Sequence, residues 1–176
     1  MQTKPPITQA VQSDQKGFTL IEMLVSLVVL AILLSIGVPS FQSLVAQNRA
    51  TSAANELQSA LHLARSTALA QSRPVTVCAA NFAVSPPACR TDEDWSEGWI
   101  VLQDGQTQPL RERGALSPSV TLTGAPRRVY SSTGTLLGQT NIDFSLSVDS
   151  ATDATRRICL FMSGRSEIVS GDAPCR

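Results

Sequence analysis

One carboxylate stands inside the most apolar stretch of the chain. Leu20 to Pro39 is apolar except for Glu22, Ser26, Ser35 and Gly37, and the next charged residue after Glu22 is Arg49. The run approaches the roughly 20 residues that span a bilayer. A charge at membrane depth is costly and by default functional. The chemistry open to Glu22 is pairing with a cation, which is strong in low dielectric, where each charge alone is expensive. Glu22 also suits a helix N-terminus, where the dipole favours an acid. No other group forms a credible catalytic set. His62, the only histidine, sits among Ser59, Arg65 and Ser66 and reads as a solvated helix residue. G-x-S-x-G, P-loop and H-E-x-x-H patterns do not occur. Asp92, Glu93, Asp94 and Glu97 offer oxygen atoms to calcium but lack the spaced ligand loop of an EF-hand. They read as a solvated loop, and no metal or cofactor is expected. Trp95 and Trp99 read as core anchors.

The residues ahead of the run sharpen the reading. Lys16-Gly17-Phe18-Thr19-Leu20-Ile21-Glu22 places a basic residue and a glycine directly before it. The stretch KGFTLIEMLVSLVVLAILLSIGVPSF resembles the type IV prepilins of bacterial pili and type II secretion. That resemblance implies cleavage between Gly17 and Phe18 by a prepilin peptidase, then methylation of the new Phe18 amine. It also implies that Glu22 neutralises the terminal amine of a neighbouring subunit during assembly. Residues 1–17 are then a leader, outside the fold. An ordinary secretory signal with a small-residue site at Ser35-x-Gly37 is the competing reading, and it predicts a mature chain starting at Val38 or Ser40.

Beyond the leader and the apolar segment, about 130 residues remain, enough for one domain. The 176-residue chain is formally neutral, with no basic surplus to mark a nucleic-acid binder. Its only lysines are Lys4 and Lys16, so every basic residue after the leader is an arginine. The four cysteines, Cys78, Cys89, Cys159 and Cys175, form no C-x-x-C. An even count in an exported domain reads as disulfides, with three pairings open. The favoured pairing is Cys78–Cys89 with Cys159–Cys175, each closing a short loop, in an oxidising compartment.

Several elements must position these residues. Phe41, Leu44, Val45, Ala53, Ala54, Leu57, Ala60, Leu61, Ala64 and Ala68 recur at helical spacing. The helix is therefore expected to run from Phe18 to about Gln71, some ~80 Å at 1.5 Å per residue. Gly37 and Pro39 mark an expected break or kink between its halves. After Pro74, short strands are expected at Val75–Val77, Trp99–Leu102, Val120–Leu122, Arg128–Tyr130, Asn141–Val148, Arg157–Phe161 and Glu167–Val169, with a tight turn at Asp104-Gly105. Asn81 to Glu97 reads as a loop. The expected fold is α+β: a long N-terminal α-helix packed on a small antiparallel β-sheet.

The second half carries further resemblance. Cys78…Cys89…Trp95-x-x-Gly98-Trp99-Ile100-Val101, then Arg157-Ile158-Cys159-Leu160, Gly164-Arg165 and Cys175, is similar to the FimT/FimU/GspH group of minor pilins and pseudopilins. FimT-type members bind DNA through a C-terminal G-R-x-R motif. The corresponding residues are Gly164-Arg165-Ser166-Glu167, with an acid in place of the second arginine. Arg156 and Arg157, if close by, would restore a basic patch, but DNA binding is not the favoured reading. The resemblance implies a leader (1–17), a transmembrane and assembly helix (18–39), an amphipathic continuation (40–72) and a β-rich periplasmic domain (73–176). It implies a non-enzymatic minor pilin, anchored in the bacterial inner membrane and later carried in a filament. The alternatives are a GspH-like pseudopilin and a FimT-like DNA receptor. Expected partners are the prepilin peptidase/methyltransferase, other minor and major pilins or pseudopilins, and an inner-membrane assembly platform.

Overall fold

The computed structural model describes residues 17–138, 142–148, 151–171 and 173–175. Lys4, Lys16, the rest of the leader before Gly17, and Asn141 lie outside the described residues. One helix, α1 (Leu20–Gln71), is followed by ten strands: β1 (Val75–Asn81), β2 (Ala88–Cys89), β3 (Trp99–Gln103), β4 (Arg111–Arg113), β5 (Val120–Thr123), β6 (Arg127–Tyr130), β7 (Leu136–Leu137), β8 (Ile142–Val148), β9 (Ala151–Leu160) and β10 (Ser166–Ser170).

Local chemistry sets both ends of α1. Thr19 lies just outside it, and its Oγ1 accepts the Glu22 N–H at 3.2 Å. The Thr19 carbonyl accepts from the Met23 N–H at 3.2 Å. The T-x-x-E spacing is that of a capping box, in which a threonine side chain satisfies an orphan donor of the first turn. At the other end Ser72 takes a positive φ of 52° and Pro74 cannot continue the helix. Between them the helix is continuous. Gly37 and Pro39, the expected break or kink, both lie inside α1. Proline removes one helical hydrogen bond, which a long helix can lose without ending.

The chain divides after Pro39 into two compact units. In the first, every described residue is exposed, including Phe18 and the apolar side chains from Leu20 to Val38. In the second, the helix buries a stripe of small residues: Ala46, Ala50, Ala53, Ala54, Leu57, Ala60, Leu61, Ala64 and Ala68. Phe41 and Leu44, expected on that stripe, stay exposed. The buried face begins about one turn later than the hydrophobic pattern suggests.

The expected single sheet is two. The first has the order β4-β3-β1-β6-β7 with β2 added to β1, and the second the order β10-β9-β8-β5. Every pairing is antiparallel. The chain changes sheet between β4 and β5, between β5 and β6, and between β7 and β8; β5 and β6, neighbours in sequence, pair with β8 and β1 respectively. Such long-range choices leave no local mark in a strand's composition. Three short strands, β2, β4 and β7, were also not expected. One contiguous core joins the helix stripe to Val75, Val77, Trp99, Val101 and Tyr130 of the first sheet and to Phe144, Leu146, Ile158 and Leu160 of the second. Alternate strand residues share a face, which is why Val75 and Val77 reach this core. Cys78, Ala80 and Ile100 form a smaller cluster with Leu102 on the opposite face.

The disulfides are Cys78–Cys89 and Cys159–Cys175, both with Cα–Cα 5.5 Å. The first pins the loop after β1 over the small cluster. The second ties the C-terminal tail to β9.

Candidate functional site

Two regions carry the residues singled out from sequence. The first is the start of α1. Phe18 precedes the helix and is 84% exposed. Glu22 lies in the first turn, its backbone held by the Thr19 cap, and the Ser26 hydroxyl donates to its carbonyl at 2.7 Å. An 18-residue window of α1 has a mean hydropathy of 2.6 and no buried residue. A surface this apolar is unstable in water and requires lipid or partner helices. The sequence pattern T-x-x-E held the signal for the cap, which the hydrophobic reading passed over.

The second region is the set of late arginines, and the structure separates them. Neighbouring residues on a strand point to opposite faces. Arg156 turns toward the helix, where its Nη2 donates to Thr51 Oγ1 at 3.3 Å. Arg157 lies on the outer face, where its Nε meets Asp143 Oδ2 at 3.3 Å. Arg165 is exposed, paired with Glu167 Oε2 at 3.1 Å, and its guanidinium lies 4.8 Å from the centre of the Phe161 ring. Arg156 and Arg157 thus have separate partners on opposite faces of β9. Arg157 and Arg165 share their surroundings with one carboxylate each, so the face they present is close to neutral.

Gly164 has a structural duty at this place. Its φ is +76°, and a Cβ there would collide with the Gly134 carbonyl oxygen and approach Arg65 Nε. Arg65 Nε donates to that carbonyl at 3.1 Å, and Leu136 N–H donates to Met162 O at 3.0 Å. The β9–β10 turn, the β6–β7 turn and the helix are thereby locked together.

The acidic loop is organised internally. Arg90 bridges Asp92 Oδ2, at 2.7 Å, and Glu97. The Asp92 hydrogen bond raises the Arg90 pKa above its ordinary value. Asp94 Oδ1 accepts from the Ser96 N–H at 2.8 Å, and the hydrogen bonds from Ser96 hold the Asp94 carboxyl below its usual value. Trp95 and Trp99 are both fully buried. His62 is exposed and approaches Ser166 Oγ with its Nε2 at 3.5 Å.

Known proteins match these features in the same places. The family model for Type II transport protein GspH matches residues 53–164. That for the prokaryotic N-terminal methylation motif matches residues 12–38. The chain belongs to the GspH family. Crystal structures of the type IV minor pilin FimU of Pseudomonas aeruginosa share its fold. One gives a TM-score of 0.57 at 26% identity, covering 69% of this chain and 89% of FimU. A second crystal form gives 0.54, covering 68% and 91%. Two curated relatives, each a fimbrial protein of P. aeruginosa, are 30% identical over 94 residues. This GspH-family chain matches 57% of their length. It is a minor-pilin-like protein: one long N-terminal helix carrying the methylation motif, packed in its second half on antiparallel sheets.

Proposed function

We propose that this chain is a minor subunit of a type IV pilus, processed between Gly17 and Phe18, methylated on Phe18, and held by residues 18–39 in the inner membrane until assembly. The carrying observation is the wholly exposed apolar start of α1 on a chain whose folded unit resembles the minor pilin FimU. Apolar helices gain little from one another in lipid, so filament entry draws on energy from an assembly platform. Glu22 supplies the charge that pairs with the Phe18 amine of a neighbouring subunit and sets the register. The amphipathic continuation (40–72) and the β-rich part (73–176) then form the periplasmic portion that meets other pilins. The work is assembly rather than catalysis.

The match to the GspH model favours a second reading, a pseudopilin of type II secretion. The two separate in a deletion strain that cannot retract pili. Loss of sheared surface pili, restored by the wild-type gene and not by Glu22→Ala, supports the pilus subunit. Normal pili with failed protein secretion supports the pseudopilin. Normal pili and normal secretion overturn both.

A further inference from the structure

The core holds a guanidinium whose donors are not all matched by hydrogen bonds among the described residues. Arg128 is only 8% exposed, yet its Nε and Nη2 are buried without a hydrogen-bond partner among the described residues. Only its Nη1 is engaged, donating to the Arg127 carbonyl at 3.1 Å. The cause is register. Arg128 lies opposite Val77 and Tyr130 opposite Val75, and these valines belong to the core beneath the helix. Arg128 therefore points between the two sheets, where its guanidinium lies 5.6 Å from the centre of the Phe144 ring. Burial pushes its pKa down to about 10.

A second orphan donor borders the same ring. Trp95 packs edge-on to Phe144 with centroids 4.8 Å apart, and its Nε1 is also buried without a partner among the described residues. The unmatched atoms around Phe144 are thus N–H donors, and one of the two groups is cationic. Tyr130, two residues from Arg128 on the same face, adds a buried hydroxyl without a partner among the described residues. Nearby carboxylates on described residues are committed elsewhere: Asp143 to Arg157 and Glu167 to Arg165. Asp143 acts on Arg128 only through space: its charge raises the Arg128 pKa against the larger effect of burial, while its hydrogen-bonding partner is Arg157.

A buried charge left unpaired is costly, and so is each unmatched donor. A donor-rich, positively charged set calls for a small, negatively charged ligand. We propose that Arg128 holds a small inorganic anion, of which chloride is the natural representative, between the two sheets beside Phe144. The Trp95 N–H is its second donor. The anion is then a structural component that couples the first sheet to the second.

The test uses the full-length protein in detergent and measures its unfolding temperature as chloride replaces gluconate at constant ionic strength. A ligand that binds only the folded state raises stability with its concentration. The wild type is expected to gain a few degrees as chloride rises, and Arg128→Met is expected to lose that dependence. Arg128→Met places an unbranched apolar side chain in the same space, so it should fold. Arg128→Lys keeps the charge without the fork and should show a weaker response. Crystals soaked in bromide should show an anomalous peak within hydrogen-bond reach of Arg128. A wild-type unfolding temperature equal in the two salts, or an unchanged chloride response in Arg128→Met, overturns the proposal.

Discussion

Gly164 stands directly against the carbonyl oxygen of Gly134, with no room for a Cβ between them. This contact fastens a turn of the second sheet to a turn of the first, and Arg65 of the helix donates to the same oxygen at 3.1 Å. Gly164→Ala therefore meets two penalties, a left-handed φ of +76° and a clash with backbone. Together these should cost about 3 kcal/mol. Gly171 is the control: its φ is +68°, but nothing lies within 4 Å of a Cβ there. Gly171→Ala should cost about 1–2 kcal/mol, the conformational part alone. Denaturant unfolding of the two variants checks the difference. Equal losses would mean that the turns do not lock.

How far the fold could be read in advance follows from this kind of contact. The helix and the short disulfide loops declare themselves locally, through the spacing of Ala53, Leu57, Ala60, Leu61 and Ala64 and through cysteines 11 and 16 residues apart. The GFTLIE segment is equally plain because its chemistry is confined to adjacent residues. The division into two sheets was hidden, since nothing in Val120–Thr123 says that it pairs with β8 rather than with β6 next along the chain. The separation of Arg156 from Arg157 was readable from strand alternation alone. So was Arg128, which shares parity with Tyr130, but an arginine is a poor guess for a core position. The structural duty of Gly164 needed the distant Gly134 to be visible.

The Cys78–Cys89 bridge should matter more than the exposure of its second half suggests. Cys78 is fully buried with Ala80 and Ile100, and the bond closes a loop with a sequence separation of 11. Replacing both cysteines by alanine removes a constraint worth about 3 kcal/mol in the chain-entropy account. The expected result is a lower unfolding temperature, with the loop between β1 and β3 becoming sensitive to protease. An unchanged unfolding temperature would show that the loop is held by Arg90 and its carboxylates instead.

Asp94 gives the acidic loop a defined pH response. Its folded-state pKa is lowered by the hydrogen bonds from Ser96, so the ionised form favours the fold. The contribution is complete above the unfolded carboxylate range, near about 4, and is lost as pH falls through the folded value. Asp94 is exposed, so solvent screening keeps the effect small. Asp94→Ala should lose roughly 0.5–1 kcal/mol at neutral pH, the scale of an exposed capping bond. The difference from wild type should vanish at the acid end of the titration. A gap of constant size across that range would assign the loss to packing rather than charge.

At the other end of the chain, Glu22→Ala should leave processing intact and stop filament entry. The proposed cleavage site, between Gly17 and Phe18, lies ahead of the helix, whereas Glu22 sits within its first turn. N-terminal sequencing of membrane-extracted variant protein should begin at methylated Phe18, while sheared filaments should lack the subunit. A variant that enters filaments at the wild-type level would remove Glu22 from assembly.

The late arginines make an equally sharp prediction about DNA. Arg165 is stacked on Phe161 and paired with Glu167, and Arg157 is paired with Asp143. Each positive charge on this face is offset, so phosphate gains little by approaching it. Full-length protein in detergent should bind duplex DNA no more tightly than Arg165→Ala. Glu167→Arg changes two things at once: it frees Arg165 and recreates a G-R-x-R sequence. It should bind more tightly and with a steeper salt dependence, by roughly 0.9 in log–log slope for each added phosphate contact. Arg156 should contribute nothing, because it turns to Thr51. Salt-dependent wild-type binding abolished by Arg165→Ala would show that DNA displaces Glu167. The face would then be a DNA site gated by its own carboxylate.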